Sequence, residues 1–355
     1  MKKILLCIYA IVTNTAIQAQ SFSSPESVEF DSLNQRWLVG QNGSGKINIL
    51  QPSSNTLTPF ATNIPSGPHG IEILGTTVYC CDGTSIKGFN ISTGAQTVNI
   101  SISGSSFLNG LTTDGSNYLF ATDFTGKKIY RVNPSSGTYN LMKTITKTPN
   151  GIYYDGANNR CVFVTWGTNA EIQSMSLLDS SITSLKTTTL GSFDGITRDQ
   201  QGNWYFTAWS NNALNKVDAT FSSAPVAVKT GLSSPADIDI NSAGDSIGIP
   251  NSGNANNVVF YVIPSSTGIN EFNPSMTSRV FPVPAFNSNI SILLDNALVN
   301  GNLILIDSEG REISNQRANG YAFSLDTKNM KSGTYYLLII DENKKEISRK
   351  TILIQ

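Results

Sequence analysis

The chain has 355 residues, 39% of them hydrophobic and 14% charged, with 24 Lys and Arg set against 25 Asp and Glu. That length suits one large domain and a small one, since domains run to about 100–200 residues. A net charge of −1, with no basic cluster beyond the N-terminus, excludes the electrostatic footprint of a nucleic-acid binder. No apolar run approaches the roughly 20 residues that a membrane-spanning helix needs.

The first residues, MKKILLCIYAIVTNTAIQAQ, place Lys2 and Lys3 ahead of an apolar stretch from Ile4 to Val12 and a small-residue exit from Ala16 to Ala19. This is the pattern of a secretory signal peptide over residues 1–19, cleaved after Ala19. Cys7 does not read as a lipoprotein cysteine, because Leu6 stands where a small residue is expected. The later cysteines, Cys80, Cys81 and Cys161, form an odd set for an exported chain. One of the adjacent pair could bridge Cys161 if the fold brings their Cα atoms within about 4.4–6.8 Å; buried free thiols are the alternative. There is no CxxC pair and one histidine in the chain, so a structural zinc site is not indicated.

Six copies of one segment follow, starting at Ser24, Gly67, Phe107, Thr148, Ser192 and Ser234. Their equivalent positions are 26, 69, 109, 150, 194 and 236, which gives spacings of 43, 40, 41, 44 and 42 residues. Within a copy, a short apolar strand (Gly151 to Tyr154) leads through an Asp/Gly/Asn turn (Asp155 to Asn159) into alternating β-formers (Cys161 to Thr165). A third strand such as Lys128 to Val132 and a connector strand such as Thr97 to Ile102 or Ile182 to Thr187 complete the unit. Alternation at period two between turn signals is strand chemistry, and four strands in roughly 40–50 residues make a propeller blade. One blade cannot cover its own apolar faces, whereas six stacked radially can. The predicted fold is therefore all-β: a six-bladed β-propeller over residues 21–263, closed by pairing residues near its two ends.

Residues 264–278, PSSTGINEFNPSMTS, read as a linker. Beyond it, residues 279–355 show short strands at Ser291 to Leu294, Asn302 to Ile306, Arg311 to Ser314, Ala322 to Asp326, Gly333 to Asp341 and Ile347 to Ile354, the makings of a small Ig-like β-sandwich. The segments VFPVPA (280–285), LIDSEGREI (305–313), LDTKNMKSGTYYLLI (325–339) and the terminal KTILIQ resemble the type A sorting domain of type IX secretion. Val283 departs from the Asn usual between the two prolines. The resemblance implies export across both membranes of a Bacteroidetes-type bacterium to the cell surface or the medium, with the secretion machinery as partner. Such a domain is an address label, so chemistry is to be sought in the propeller.

The innermost strand of each blade lines the central channel of a propeller, so one repeat position projects onto a common ring. Here that ring reads Glu26, His69, Asn109, Asn150, Asp194 and Ala236, with Asp237 one residue later. Two carboxylates and two carboxamides form a hard-oxygen set suited to Ca²⁺ or Mg²⁺. Asn109-Gly110, Asn150-Gly151 and Asp194-Gly195 are also ordinary turn pairs and could simply enter strands through tight turns.

The same residues resemble the calcium-dependent propeller hydrolases, namely the gluconolactonase/senescence-marker-protein group and the paraoxonases. The resemblance implies Ca²⁺ ligands at Glu26, Asn109, Asn150 and Asp194. Pro68-His69-Gly70-Ile71 is similar to the paraoxonase segment that carries a catalytic His. Phe107 replaces an Arg that gluconolactonase relatives use to hold a sugar acid, and Gly195 replaces an Asn of paraoxonases, so neither group's substrate transfers. The implied chemistry is hydrolysis of a lactone or similar ester, with the metal polarising the carbonyl and His69 or Asp194 activating water. Phe124, Trp166 and Trp209 are expected to wall the substrate cleft. Two other readings stay open. One is a non-catalytic NHL-like propeller that binds a ligand or protein. The other is a streptogramin-lyase-like enzyme, suggested by the GITRDQQGNW run from Gly195 to Trp204, although that family carries seven blades against six here. No Ser-His-Asp arrangement is read from the residues, and no phosphate loop is present.

Overall fold

The computed structural model describes residues 22–51, 56–264, 278–286, 288–342 and 346–355. The signal peptide expected at 1–19 and most of the linker expected at 264–278 lie outside them. The chain divides into two compact units at Ile263 and Pro264. Among the described residues there is no α-helix, and no helix is long and apolar enough to cross a membrane.

The first unit is a six-bladed propeller. Its sheets span residues 25–61, 69–101, 108–144, 148–187, 193–229 and 239–262, each with strands in simple up-and-down order. The first five blades have four strands, as the repeat predicts; the sixth has three among the described residues. Blade 1 is built wholly from the N-terminal segment, and blade 6 closes the ring by lying against it. The Asp237 amide donates to the Glu26 carbonyl at 3.0 Å, the Phe30 amide to the Asp239 carboxylate at 2.8 Å, and the Ser24 amide to the Asn256 side chain at 2.7 Å.

The core is distributed as six apolar clusters, one for each pair of adjacent blades. Successive side chains of a strand point to opposite sheet faces, so each blade feeds two clusters. Cys80 and Cys81 show the consequence: Cys80 packs with Leu38 and Ile71 between blades 1 and 2, Cys81 with Leu108 and Leu119 between blades 2 and 3. Cys161 belongs to a third cluster, between blades 3 and 4. All three thiols are free and buried, so the disulfide alternative falls away.

Repetition extends to the hairpins. In blade 1 the Asp31 carboxylate accepts from Asn34 Nδ2 at 2.7 Å and Arg36 Nε at 2.8 Å; in blade 4 Asp155 does the same with Asn158 and Arg160, both at 2.8 Å. Asp155 also receives Arg198 of blade 5 at 3.1 Å, which ties two blades together. These buried carboxylates hold the inner hairpin that aims the channel-lining strand.

The second unit is a β-sandwich in which the first four of the six short strands expected are merged into two, and the last two stay separate as Gly333–Ile340 and Glu346–Ile354. Asn289–Asp307 and Glu312–Asp326 run as two long strands whose register shifts between Leu293 and Gly301. The shift lets one strand serve two layers around Ile290, Ile292, Leu303, Leu305, Leu337 and Ile352. Its tight hairpin is explained by Asp307, whose side chain accepts the amides of Glu309 and Arg311 at 2.9 and 3.0 Å. Gly310 adopts φ +81° there, a left-handed conformation that glycine takes without penalty.

Candidate functional site

The predicted ring forms, and its geometry decides between turn and channel. Asn109, Asn150 and Asp194 lie inside strands Leu108–Thr113, Thr148–Asp155 and Phe193–Arg198, so the Asn-Gly and Asp-Gly pairs are not tight turns. Each inner strand of blades 1 to 5 breaks its pairing register at this level, a β-bulge that re-aims side chains. The glycines are there for space. A Cβ on Gly110 would fall inside 3.0 Å of the Asn150 carbonyl oxygen, and one on Gly151 would do the same to the Asp194 carbonyl oxygen. Neighbouring inner strands thus approach closely enough at the axis to bring the residue before each glycine to a common mouth.

Glu26, His69, Asn109, Asn150 and Asp194 line one cavity of about 330 Å³. Two features orient them that the sequence reading missed. The Thr122 hydroxyl accepts the Gly110 amide and donates to the Asn150 carbonyl, both at 2.8 Å. Thr207 repeats this between the Gly195 amide and the Ala236 carbonyl, at 2.8 and 2.9 Å. A buried threonine at the same place in two blades was the available signal. Asn150 Nδ2 donates to the Phe193 carbonyl at 3.1 Å, which leaves its Oδ1 as the free atom.

Three polar atoms at this mouth are buried without a hydrogen-bond partner: His69 Nδ1, Asn150 Oδ1 and Asp194 Oδ1. An unsatisfied buried group costs about 1–3 kcal/mol, so three in one cavity single it out as the candidate site. Burial, and then the charge of Asp237, pushes the Glu26 carboxyl up to about 8. Burial followed by the charges of Glu26 and Asp237 holds Asp194 well above the usual carboxylate range. Burial lowers His69 to about 4, so its imidazole is an uncharged base at neutral pH.

Donor chemistry and orphaned oxygens fit a hard divalent cation at Glu26, Asn109, Asn150 and Asp194. Among the described residues no three His, Cys, Asp or Glu side chains group so as to hold a metal ion. The fit therefore rests on the two carboxamides together with the two carboxylates.

The cavity is lopsided. Phe107, Phe124, Trp166 and Trp209 make an aromatic arc along one side: His69 and Phe107 rings lie 4.8 Å apart, Phe124 and Trp166 5.7 Å, Trp166 and Trp209 5.0 Å. The last three aromatics end or follow the second strand of their blades and not the innermost one. Ser24, Asn42 and Ser252 make the polar side opposite. Ala236 presents no polar group to the ring, and Asp237 turns instead into a second cavity at the other end of the channel.

Comparison with known proteins bears on both units. Residues 279–355 match the family described as secretion system C-terminal sorting domain. This unit engages the type IX secretion machinery and directs the chain to the cell surface or the extracellular space. No curated protein matches the sequence. The propeller is similar to a streptogramin B lyase structure at 19% identity, with TM-score 0.51 over 64% of this chain and 76% of that one. A virginiamycin B lyase from Staphylococcus aureus is 16% identical, with TM-score 0.52 over 76% and 90%. A protein of unknown function from Bacteroides thetaiotaomicron is 14% identical, with TM-score 0.57 over 68% and 70%. At such identities the likeness is one of fold alone.

Proposed function

We propose that the propeller is an exported, Ca²⁺-dependent hydrolase of a lactone or similar ester, with Mg²⁺ as the alternative ion. The observation that carries the reading is the convergence of Asn150 Oδ1, Asp194 Oδ1 and His69 Nδ1, all buried and unpartnered, on one cavity shared with Glu26 and Asn109. Glu26, Asn109, Asn150 and Asp194 would hold the cation. When bound, Ca²⁺ would polarise the ester carbonyl as a Lewis acid.

The remaining work falls to side chains of this chain. His69, uncharged at neutral pH, takes a proton from water at its free nitrogen as the water oxygen attacks the carbonyl carbon, and returns it to the departing alkoxide. Asp194 is the second proton carrier of the pair and takes that part when its charge is not committed to the cation. The aromatic arc from Phe107 to Trp209 buries the apolar body of the substrate and excludes water on that side. The polar side at Ser24, Asn42 and Ser252 leaves a path for the attacking water.

The same arc favours a second reading, a non-catalytic propeller that captures a ligand on this face. A screen of lactones and aryl esters on the full chain separates the two. Turnover that disappears with chelator and falls at least about 100-fold in His69→Ala supports the hydrolase. Binding of an ester without turnover supports the capture reading.

A further inference from the structure

The opposite mouth of the channel holds a second polar ring, three residues along the inner strands from the first. It reads Glu29, Glu72, Thr112, Tyr153, Thr197 and Asp239, lining a cavity of about 210 Å³ together with Asp237. Val28, Ile71, Leu111, Ile152, Ile196 and Ile238, one residue back along each inner strand, line the same cavity and anchor the clusters between blades. Glu29, Glu72 and Asp239 sit on blades 1, 2 and 6, a contiguous arc.

These carboxylates have no cation. None of the ion pairs among the described residues includes Glu29, Glu72, Asp237 or Asp239. Their partners are amides, hydroxyls and one another. Ile73 donates to Glu29 at 3.3 Å and to Glu72 at 3.2 Å, and Phe30 donates to Asp239 at 2.8 Å. The Ser27 hydroxyl donates to Asp237 at 3.3 Å, Glu72 also bonds Thr112, and Glu29 and Asp239 share a hydrogen bond between their carboxyl groups. Burial and mutual repulsion accordingly raise Glu29 and Glu72 well above the usual range, and burial raises Asp239 to about 6. The carboxyl groups are half-buried and face the cavity.

A second observation is independent of the charges. Thr197 is 1% exposed and its hydroxyl has no hydrogen-bond partner, although the equivalent Thr112 accepts the Tyr154 amide at 3.1 Å. Thr197 lines this cavity from blade 5, next to the blade that carries Asp239. The site is thus short of one cationic donor that reaches carboxylates and a hydroxyl together.

At about 210 Å³ the cavity is larger than a bare metal ion needs. The space equals several waters at about 30 Å³ each, and Tyr153 and Tyr154 add aromatic surface. We propose that this mouth binds a primary ammonium group, its three N–H donors shared among Glu29, Glu72 and Asp239, with Thr197 as neutral acceptor and Tyr153 against the alkyl stem. A free alkylamine and the side chain of a lysine on another protein present the same group.

The test is calorimetry on the full chain in excess chelator, with n-butylammonium and Nα-acetyl-lysine methylamide as probes and n-butanol as the uncharged comparator. One saturable site is expected for an ammonium probe and none for butanol. Saturation by butylammonium alone assigns a free amine; saturation by both probes assigns lysine as well. Glu29→Gln and Glu72→Gln, which keep side-chain volume, should each weaken binding about tenfold or more, and Thr197→Val several-fold. Glu26→Gln, at the other mouth, should leave it unchanged, so failure here is distinguishable from failure of the hydrolase reading. No uptake of either ammonium by the unaltered protein overturns the proposal. So does unchanged affinity in Glu29→Gln and Glu72→Gln, or, in a parallel titration with the chelator removed, displacement of the amine by Mg²⁺ at stoichiometric concentration.

Discussion

Replacing Gly151 with Ala tests the link between the fold and the ring. The added Cβ would meet the Asp194 carbonyl oxygen inside 3.0 Å and lie 2.9 Å from the Gly195 Cα. Both obstacles are backbone, so no side chain can swing aside. Overpacking a tight site costs about 1–3 kcal/mol, and an immovable neighbour puts the change at the upper end. For a unit of this size each kcal/mol lowers the melting temperature by about 2–4 °C, so a drop of about 6–12 °C is expected. Gly137→Ala is the matched control: a Cβ there meets nothing within 4 Å, and only its φ of +71° opposes the change, a cost of about 1–2 kcal/mol. Differential scanning calorimetry on the full chain, following the propeller transition, reads both. Because the displaced atom belongs to Asp194, cation affinity should fall in Gly151→Ala and not in Gly137→Ala. Equal melting temperatures for the two variants would refute the close-approach argument.

Stability of the chelated protein should depend on pH in a direction set by the channel carboxyls. Asp239 near 6 and Glu26 near 8 in the folded chain, against 3.8 and 4.5, bind protons more tightly folded than unfolded. Their contribution is present below about pH 4 and lost as pH rises through 6 to 8, so thermal melts should show destabilisation of at most about 1.4 kcal/mol per pH unit for each group. His69, lowered from 6.5 to about 4, acts the other way: its contribution is present above 6.5 and lost as pH falls toward 4. Cys80, Cys81 and Cys161 are fully buried with thiols pushed up by burial, so a thiol reagent should label none of them until urea unfolds the propeller. Asp155→Ala leaves Arg160 and Arg198 without their shared carboxylate and should cost about 2 kcal/mol or more in urea denaturation.

Much of the fold was legible because a blade is a local object. Strand alternation and turn chemistry act over a few residues, and their recurrence near 42 residues exposes six copies without any long-range information. The ring at 26, 69, 109, 150 and 194 was legible for the same reason, as one register of the repeat. What could not be read is what depends on distances between blades. An Asn-Gly pair in a tight turn and one in a bulge at the axis are identical as sequence; only the approach of Gly110 to Asn150 separates them. Thr122 and Thr207 looked like any strand threonine until their hydroxyls were seen to bridge two blades. The far ring escaped because Glu29, Glu72 and Asp239 sit at ordinary charged positions when each blade is read alone. The merging of short strands in the sorting domain follows from a register shift, which alternation does not encode.

The central claim is that Glu26, Asn109, Asn150 and Asp194 form a divalent-cation site. Calorimetric titration of the chelated full chain with CaCl₂, beside Glu26→Gln and Asp194→Asn, tests it most directly. One tight site in the unaltered protein, abolished by either substitution, is the predicted result; absence of Ca²⁺ and Mg²⁺ binding in the unaltered protein would contradict it.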